Sequence, residues 1–340
     1  MSPAVDAPRT PQHRLRSLLR IRELPVSLAL LALVLFTYLA NPLFLSPQGT
    51  KDLLLNATIV VLLAVGQAIV IITRNVDLSV GSILGLVAFG TGSLFNQFPG
   101  IPIPVVFLAG VFFGAILGAV NGLLVTVAQV PALVITLGTL YVYRGLLNAW
   151  AGGKQYFAGD RPEAFGALSV DTVVGFPVIT LLAILVTVAV AIYLGRVRSG
   201  RDLYAIGSDP DAARLFGIRV GRRVFTAFLA NGALAGLAGI LYASRFNSVG
   251  ATTGTGQELV VVAAAVVGGV AIFGGSGTVA GAALGALLLT TITSALTAVR
   301  VDKFWQQAIV GTLILAAIIV DRIASLRTAR KLRVSEARSV

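Results

Sequence analysis

The chain has 340 residues, of which 56% are hydrophobic and 12% charged, whereas charged residues make up roughly 25% of an average soluble domain. A water-soluble protein of this size cannot hide that much apolar surface in one core, which argues against soluble enzymes, nucleic-acid-binding domains and secreted modules. The net charge of +12 is typical of a membrane protein with basic cytoplasmic segments. The sequence therefore predicts a polytopic membrane protein with no nucleic-acid partner.

Side chains for metal or covalent chemistry are scarce. The sequence contains no cysteine and a single histidine, His13, in the polar N-terminal region. Disulfides, thiolate zinc sites and cysteine nucleophiles are therefore impossible, and the apolar segments hold no histidine for a metal. We expect no catalytic residue, no metal and no cofactor in this chain.

Apolar runs bounded by charges, glycines or prolines predict about ten transmembrane helices. The predicted spans are 26–45, 53–73, 78–97, 102–128, 132–150, 173–194, 223–243, 258–274, 279–298 and 304–320. Glycines and prolines also allow a broken or re-entrant helix within 76–128, and one interrupted pair within 258–298. We interpret 26–45 as a retained first helix, because no small-x-small cleavage site follows it.

The basic residues predict the orientation. If the N-terminus is cytoplasmic and the spans alternate, 19 of the 26 Lys and Arg residues lie inside, six lie outside, and Arg144 falls within a span. This distribution obeys the positive-inside rule. Both termini are therefore expected in the cytoplasm, which requires an even number of spans.

Two short repeats suggest how the spans are organised. The string at Gly114–Ala119 recurs at Gly281–Ala286, and the Gly-Thr-Leu at Gly138 recurs at Gly311. The copies fall five spans apart, so the two halves would run in opposite directions, as in many transporters. The alternative is that Gly and Ala recur because they let helices pack closely.

This organisation predicts a chain divided by one large cytoplasmic loop. The expected parts are a cytoplasmic tail (1–25), a first membrane half (26–194), the loop (195–223), a second membrane half (224–320) and a basic cytoplasmic tail (321–340).

Glycines four residues apart mark helix faces where two backbones can meet. These clusters are Gly81 and Gly85; Gly110, Gly114, Gly118 and Gly122; Gly232 and Gly236; and Gly281 and Gly285. We expect tight helix packing at each of them.

The central loop contains a predicted short helix. Asp209 can cap its start, Pro210 suits the first turn, and Gly217 can end it. Leu215 and Phe216 are too apolar for an isolated solvated helix. They require either the protein's own membrane face or the groove of a soluble partner.

Polar side chains within the apolar spans each allow two interpretations. Asp77 is a gate or pathway residue, paired with Arg74, or it caps the third helix. Arg144 lines a pathway or a subunit contact, or its guanidinium reaches the membrane interface. Asn121 and Asn231 form interhelical hydrogen bonds or contact sugar hydroxyls.

An ordered set of short motifs resembles one transporter family. These motifs are Thr73–Ser82 (TRNVDLSVGS), Pro131–Thr139 (PALVITLGT), Tyr143–Gly145 (YRG), Gly207–Ile218 (GSDPDAARLFGI), Gly254–Gly256 with Glu258, Gly268–Gly269 and Gly274–Gly277 (GGSG). Together they resemble the permeases of ribose-type ABC importers, and within these the autoinducer-2 and rhamnose-type permeases. Asp209 and Phe216 depart from the Asn and Ser that are usual in the family's coupling loop.

The resemblance implies a fold and a set of partners. The fold would be an all-α permease of about ten spans in two inverted five-helix halves, with a cobalamin-importer-like architecture, in the bacterial inner membrane. Two cytoplasmic ATPase subunits, a second identical or paralogous permease and an extracytoplasmic sugar-binding protein would complete the importer of a small sugar. This chain lacks the Gly-x4-Gly-Lys-Ser/Thr phosphate loop, which agrees with ATP hydrolysis on a partner and not on this chain.

The resemblance also assigns roles to residues. ATPase coupling falls to Asp209, Pro210, Ala212, Ala213, Arg214, Leu215, Phe216 and Gly217. The translocation path would include Arg74, Asn75, Asp77, Asn121, Arg144 and Asn231. Glu258 and Trp305 would contact the binding protein, although helix-start stabilisation and interface anchoring explain them equally well.

Two other functions are weighed against the importer. A secondary transporter or channel without an ATPase usually carries intramembrane acidic or histidine relays, and here only Asp77 and Glu258 qualify, near span ends. A membrane enzyme would need a nucleophile–base pair or a metal site, and the sequence offers neither.

Overall fold

The computed structural model describes residues 23–128, 130–302, 304–312 and 315. The predicted cytoplasmic tails lie outside these residues, apart from residues 23–25, and so does the end of the predicted span 304–320.

The described chain is mainly helical. Its α-helices are α1 (Leu24–Ala40), α2 (Pro47–Ile72), α3 (Val80–Gln97), α4 (Ile103–Ala128), α5 (Ala132–Ala151), α6 (Glu163–Val170), α7 (Val178–Arg196), α8 (Arg198–Ser208), α9 (Pro210–Leu215), α10 (Val220–Arg245), α11 (Gln257–Val267) and α12 (Val279–Ala298). Residues 304–312 are also helical.

Six of the described helices are long and apolar enough to cross a membrane: α2, α4, α5, α7, α10 and α12. The apolar helices α1 and α11 have 17 and 11 residues, fewer than the roughly 20 that a complete span requires. These helices support a polytopic membrane protein. Among the described residues, six helices, and not the ten expected, are individually long and apolar enough to span a membrane.

Glycine-rich segments explain why some predicted spans are shorter than expected. The predicted span 258–274 is wrong at its C-terminal end, because α11 stops at Val267. A loop follows in which Gly269 and Gly274 have positive φ angles of 89° and 81°, which end a helix at low steric cost. Residues 73–79 are likewise not helical, and α3 begins only at Val80.

The all-α expectation holds except for two very short antiparallel pairs. Strand β1 (Tyr156–Phe157) pairs with β4 (Ser248–Val249), with Tyr156 opposite Val249. Strand β2 (Thr172–Val173) pairs with β3 (Phe176–Pro177). Together with α6, these strands cover one end of the helix bundle. The predicted span 173–194 is wrong at its start, because β3 occupies Phe176–Pro177 and α7 begins only at Val178.

The tightest helix pair is α4 with α10, and glycines make it possible. A methyl group on Gly118 would overlap the carbonyl oxygen of Phe228, and one on Gly114 would overlap that of Gly232. The prediction of close packing at these glycines is confirmed. The carbonyls of Phe228 and Gly232 on α10 lie against these glycines, so α4 packs directly on a helix that is itself largely buried.

We expect Gly118→Ala to lower the stability of the purified chain in detergent. The new methyl group has no space beside Phe228, and overpacking costs about 1–3 kcal/mol. The matched control is Gly138→Ala on α5, where an added Cβ has nothing within 4 Å and Ala is the better helix former by about 1 kcal/mol. Equal thermal-unfolding midpoints for the two variants would show that α4–α10 packing does not depend on glycine.

Candidate functional site

The short helix α9 is capped as the sequence predicts. The Asp209 carboxylate accepts hydrogen bonds from the backbone N–H groups of Asp211 (2.9 Å) and Ala212 (3.0 Å). These donors, Ala212 first and then Asp211, lower the pKa of Asp209 below its ordinary value. Pro210 occupies the first turn, and Gly217 follows the helix with a φ of 79°. The helix is therefore formed by its own local sequence.

One side of α9 packs on the bundle and its tip is free. Ala213 is 3% exposed and belongs to an apolar cluster with Ile206 and Phe228. Leu215 and Phe216 are 89% and 86% exposed. The protein's own described surface thus leaves these two apolar side chains uncovered.

Arg74 ties the segment between α2 and α3 to the end of α8. Its Nε donates to the Gly207 carbonyl and its Nη2 to the Ser208 carbonyl, both at 2.5 Å. Arg74 takes a φ of 66°, a left-handed conformation that is unusual for a side chain of this size. Of the two interpretations of Asp77, the one that pairs it with Arg74 is wrong, because the Arg74 guanidinium binds the carbonyls at the C-terminus of α8.

Further contacts fix the same end of the bundle, called here the α8–α9 end. The Gly275 N–H donates to the Ile72 carbonyl at 3.0 Å. Arg223 on α10 pairs with Asp202 on α8 at 2.7 Å. Helix α8, which leads directly into α9, is therefore joined to the ends of both central helices.

Asp77 lies at the centre of a buried polar cluster. Its carboxylate accepts from the Ser79 N–H (2.9 Å), the Ser79 hydroxyl (2.7 Å) and Asn231 Nδ2 (3.0 Å). Asn121 Nδ2 donates to the Ser79 hydroxyl at 2.7 Å. The Tyr143 hydroxyl approaches Asn121 Oδ1 at 3.3 Å. We call these five residues the Asp77 cluster; it joins α3, α4, α5 and α10.

In this conformation, the burial of Asp77, Asn121 and Asn231 distinguishes between lining an open pathway and bonding between helices. Asp77, Asn121 and Asn231 have no exposed surface, so their side chains touch no open space. The amide groups of Asn121 and Asn231 donate within the cluster, while Asn231 Oδ1 has no hydrogen-bond partner among the described residues. Ser79, not Asp77, occupies the N-cap position of α3, while the Asp77 carboxylate satisfies the Ser79 backbone donor. A buried carboxylate is tolerable because hydrogen bonds replace its water.

Arg74 and Asn75 border an open cavity of about 650 Å³ at the α8–α9 end. Thr126 and Arg214 are also part of its lining. Of the predicted pathway residues, the structure therefore brings these two to an accessible space and three others into the Asp77 cluster.

Arg144 holds the second non-helical segment, which precedes α11. Its Nη1 donates to the carbonyls of Thr253 (2.6 Å) and Ala251 (3.2 Å). The first turns of α3 and α11 meet beside it, because a Cβ on Gly81 would lie 2.5 Å from both Glu258 Oε2 and the Gly254 carbonyl. Glu258 thus packs against α3, while Trp305 is 68% exposed and lies apart from it.

Sequence reasoning missed several residues of this arrangement. With its amide oriented to satisfy both groups, Gln67 donates to the Asp77 carbonyl (3.1 Å) and accepts from the Asp77 N–H (3.0 Å). Arg161 donates to the carbonyls of Ala243 and Phe246 at the end of α10. For Gln67, the sequence signal was its isolated position in the apolar run of α2. Within the described residues, no three His, Cys, Asp or Glu side chains are grouped as a metal site would need.

We expect the Asp77 cluster to stabilise the fold as a unit. Asp77→Ala and Asn231→Ala each leave buried polar groups unpaired, which costs about 1–3 kcal/mol. Because the two side chains bond directly, the double variant should lose at least about 0.5 kcal/mol less than the sum of the single losses. Denaturant unfolding in detergent measures these differences.

The control for this cycle is Asn96→Ala, an exposed amide at the end of α3, which should change stability little. Additive losses at Asp77 and Asn231 would contradict the proposed cluster.

Comparison with known proteins identifies the family. A family profile described as the permease component of the branched-chain amino acid transport system matches residues 49–318. The autoinducer 2 import system permease protein LsrC of Enterobacter sp. (strain 638) is 40% identical over 307 residues, covering 90% of this chain and 88% of that protein. The LsrC proteins of Escherichia coli O157:H7 and Salmonella typhi are 38% identical over 300 residues, covering 88% of this chain and 86% and 85% of theirs.

No solved structure is significantly similar to the chain. The predicted resemblance to ribose-type importer permeases is confirmed by these relatives. Since the profile and the relatives each span most of its length, the chain belongs to the permease family of the branched-chain amino acid transport system.

Proposed function

We propose that this chain is the transmembrane permease subunit of an ATP-binding cassette importer. Its cargo would be a small sugar or sugar-like molecule, either a monosaccharide of the ribose or rhamnose type or autoinducer-2. The observation that carries the proposal is the free apolar tip of α9, Leu215 and Phe216, in a member of a transport permease family. The relatives are named as permeases of autoinducer-2 import systems, which supports this cargo class.

The remaining parts of the importer would be separate proteins. Two cytoplasmic ATPase subunits would hydrolyse ATP, because this chain has no phosphate-binding loop of its own. A second permease, identical or paralogous, and an extracytoplasmic sugar-binding protein would complete it. Trp305 is proposed for the binding-protein contact because it is exposed; Glu258, packed against Gly81, would need α3 to shift.

The α8–α9 end is assigned to the cytoplasm of a bacterial inner membrane. Seven basic residues lie in the loop 195–223, as the positive-inside rule requires. Both termini would then also be cytoplasmic. About ten spans in two inverted halves are proposed, since α3 and α11 each follow a non-helical segment and their first turns meet at Gly81 and Gly254.

Coupling would proceed from α9 to the centre of the bundle. When an ATPase subunit moves α9, the end of α8 moves with it, because Ser208 and Pro210 are separated by one residue. Arg74 binds the carbonyls at that end and would shift the segment 73–79, which carries Asp77 and leads into α3. Arg74 is thus proposed as a positioning residue and not as a direct contact of the cargo.

The alternative of a secondary transporter or channel is not favoured. The Asp77 carboxylate is engaged by Ser79 and Asn231, and it has no exposed surface from which to exchange protons with a pathway.

We expect Phe216→Glu to abolish importer activity while the permease remains folded in the membrane. A charged side chain at the tip of α9 disfavours its burial in an apolar groove. The measurement is ligand-stimulated ATP hydrolysis in proteoliposomes containing the permease, its ATPase and its binding protein, with ribose, rhamnose and autoinducer-2 added singly. Co-purification of the ATPase with the variant should also be lost.

The matched control is Val174→Glu, the same change at a side chain that is 91% exposed at the opposite end of the bundle. It should retain the ATPase subunit. Normal stimulation by Phe216→Glu would refute the coupling assignment, and no stimulation of the wild-type protein by any of the three compounds would refute the cargo class.

A further inference from the structure

A cavity of about 330 Å³ opens between α2, α10, α11 and α12, away from the α8–α9 end. Its volume falls within the range of about 300–1,000 Å³ that ligand clefts occupy. The polar side chains that line it are Asn56, Gln257, Thr290, Thr293 and Ser294. We call it the Gln257 cavity; none of the residues in the translocation set lines it.

Two buried polar atoms at this cavity lack a hydrogen-bond partner among the described residues. They are Gln257 Oε1 and Thr290 Oγ1. Thr290 is only 9% exposed. The neighbouring Thr291 hydroxyl donates to the Leu287 carbonyl one turn earlier at 2.7 Å, whereas the Thr290 hydroxyl makes no such bond. A buried polar atom without a hydrogen bond costs free energy, so a polar occupant of the Gln257 cavity would stabilise both atoms.

The chemistry of the lining indicates which kind of occupant fits. Every polar side chain in it is neutral, being an amide or a hydroxyl. The nearby Arg245 pairs with Asp52 at 2.9 Å, so its charge already has a partner. Amides and hydroxyls both donate and accept hydrogen bonds, which matches a molecule whose own hydroxyl groups do the same.

An aromatic pair completes the lining. The rings of Tyr242 and Phe246 stack with centroids 4.2 Å apart and planes inclined by 29°. Both residues border the cavity. A flat apolar surface beside amides and hydroxyls suits a sugar ring, which has C–H groups on its faces and hydroxyls at its edge.

We propose that the Gln257 cavity is a binding subsite for a neutral polyhydroxylated molecule within the permease. Gln257 and Thr290 bond its hydroxyl groups, and the stack of Tyr242 and Phe246 supports its ring. The proposal rests on the proposed import of a sugar-like cargo and adds where that cargo is held inside this chain. Because Gln257 is the first residue of α11, an occupant would also contact the half-length helix that meets α3.

The test is site-specific protection in the assembled importer. The chain contains no cysteine, so Ser294→Cys introduces a single thiol at the cavity. Its rate of modification by a small water-soluble methanethiosulfonate is measured on the importer assembled in nanodiscs from the permease, its ATPase and its binding protein, with ribose, rhamnose or autoinducer-2 added singly. Thr297→Cys, on the same helix but outside the lining, is the matched control.

The compound that the importer transports should slow modification of Ser294→Cys several-fold and leave Thr297→Cys unchanged. Adding Gln257→Leu to the Ser294→Cys chain should remove this protection, because the amide partner is lost. Protection that persists with Gln257→Leu would overturn the assigned role of Gln257.

The experiment distinguishes an error in the proposed subsite from an error in the proposed cargo class. Transport of one compound with no protection at Ser294→Cys, or a thiol that never reacts, would overturn the subsite and leave the importer intact. Transport of none of the three compounds would overturn the proposed cargo class and, with it, the subsite.

Discussion

The structure depends on satisfying a non-helical segment inside a helical membrane bundle. Backbone groups that leave a helix at membrane depth find no water and must bond to protein. Gln67 meets the backbone of Asp77, while the Asp77 carboxylate binds Ser79 and Asn231. Without these partners, unpaired polar groups between α2 and α3 would destabilise the folded state. Helices α4 and α10 would also lose the hydrogen bonds that join both of them to the Asp77 cluster.

The segment between α2 and α3 also connects the two regions of the molecule that the proposed transport cycle would move. Arg74 binds the last carbonyls of α8, and α8 leads directly to the exposed tip of α9. At the other end of the segment, α3 begins, and its Gly81 touches the first turn of α11. A movement of α9 would therefore reach this segment through the hydrogen bonds of Arg74, and would reach α11 through the close contact at Gly81. The α4–α10 glycine contact supplies a rigid frame around this route.

Local sequence rules predicted the local features well. Asp209, Pro210 and Gly217 define α9 because capping depends on neighbours in the chain. The glycine spacing predicted which faces of α4 and α10 pack closely, because close approach requires small residues, but it did not predict that these two helices are partners. Long-range pairings were less accessible. Opposite charge made an Arg74–Asp77 pair one of two interpretations of Asp77, but the fold gives each residue other partners. The Gln257 cavity could not be foreseen, because it forms only when α2 packs against α10, α11 and α12 from the far end of the sequence.

The most direct test of this account is the coupling ratio of Arg74→Ala, that is, cargo imported per ATP hydrolysed in proteoliposomes. Losing two charge-assisted hydrogen bonds of about 1.5 kcal/mol each should lower this ratio by up to roughly a hundredfold while the ATPase subunits stay bound and hydrolyse ATP. The control is Arg222→Ala, an exposed arginine at the same end, which should keep the wild-type ratio. An unchanged ratio for Arg74→Ala would contradict the route from α9 to the bundle centre.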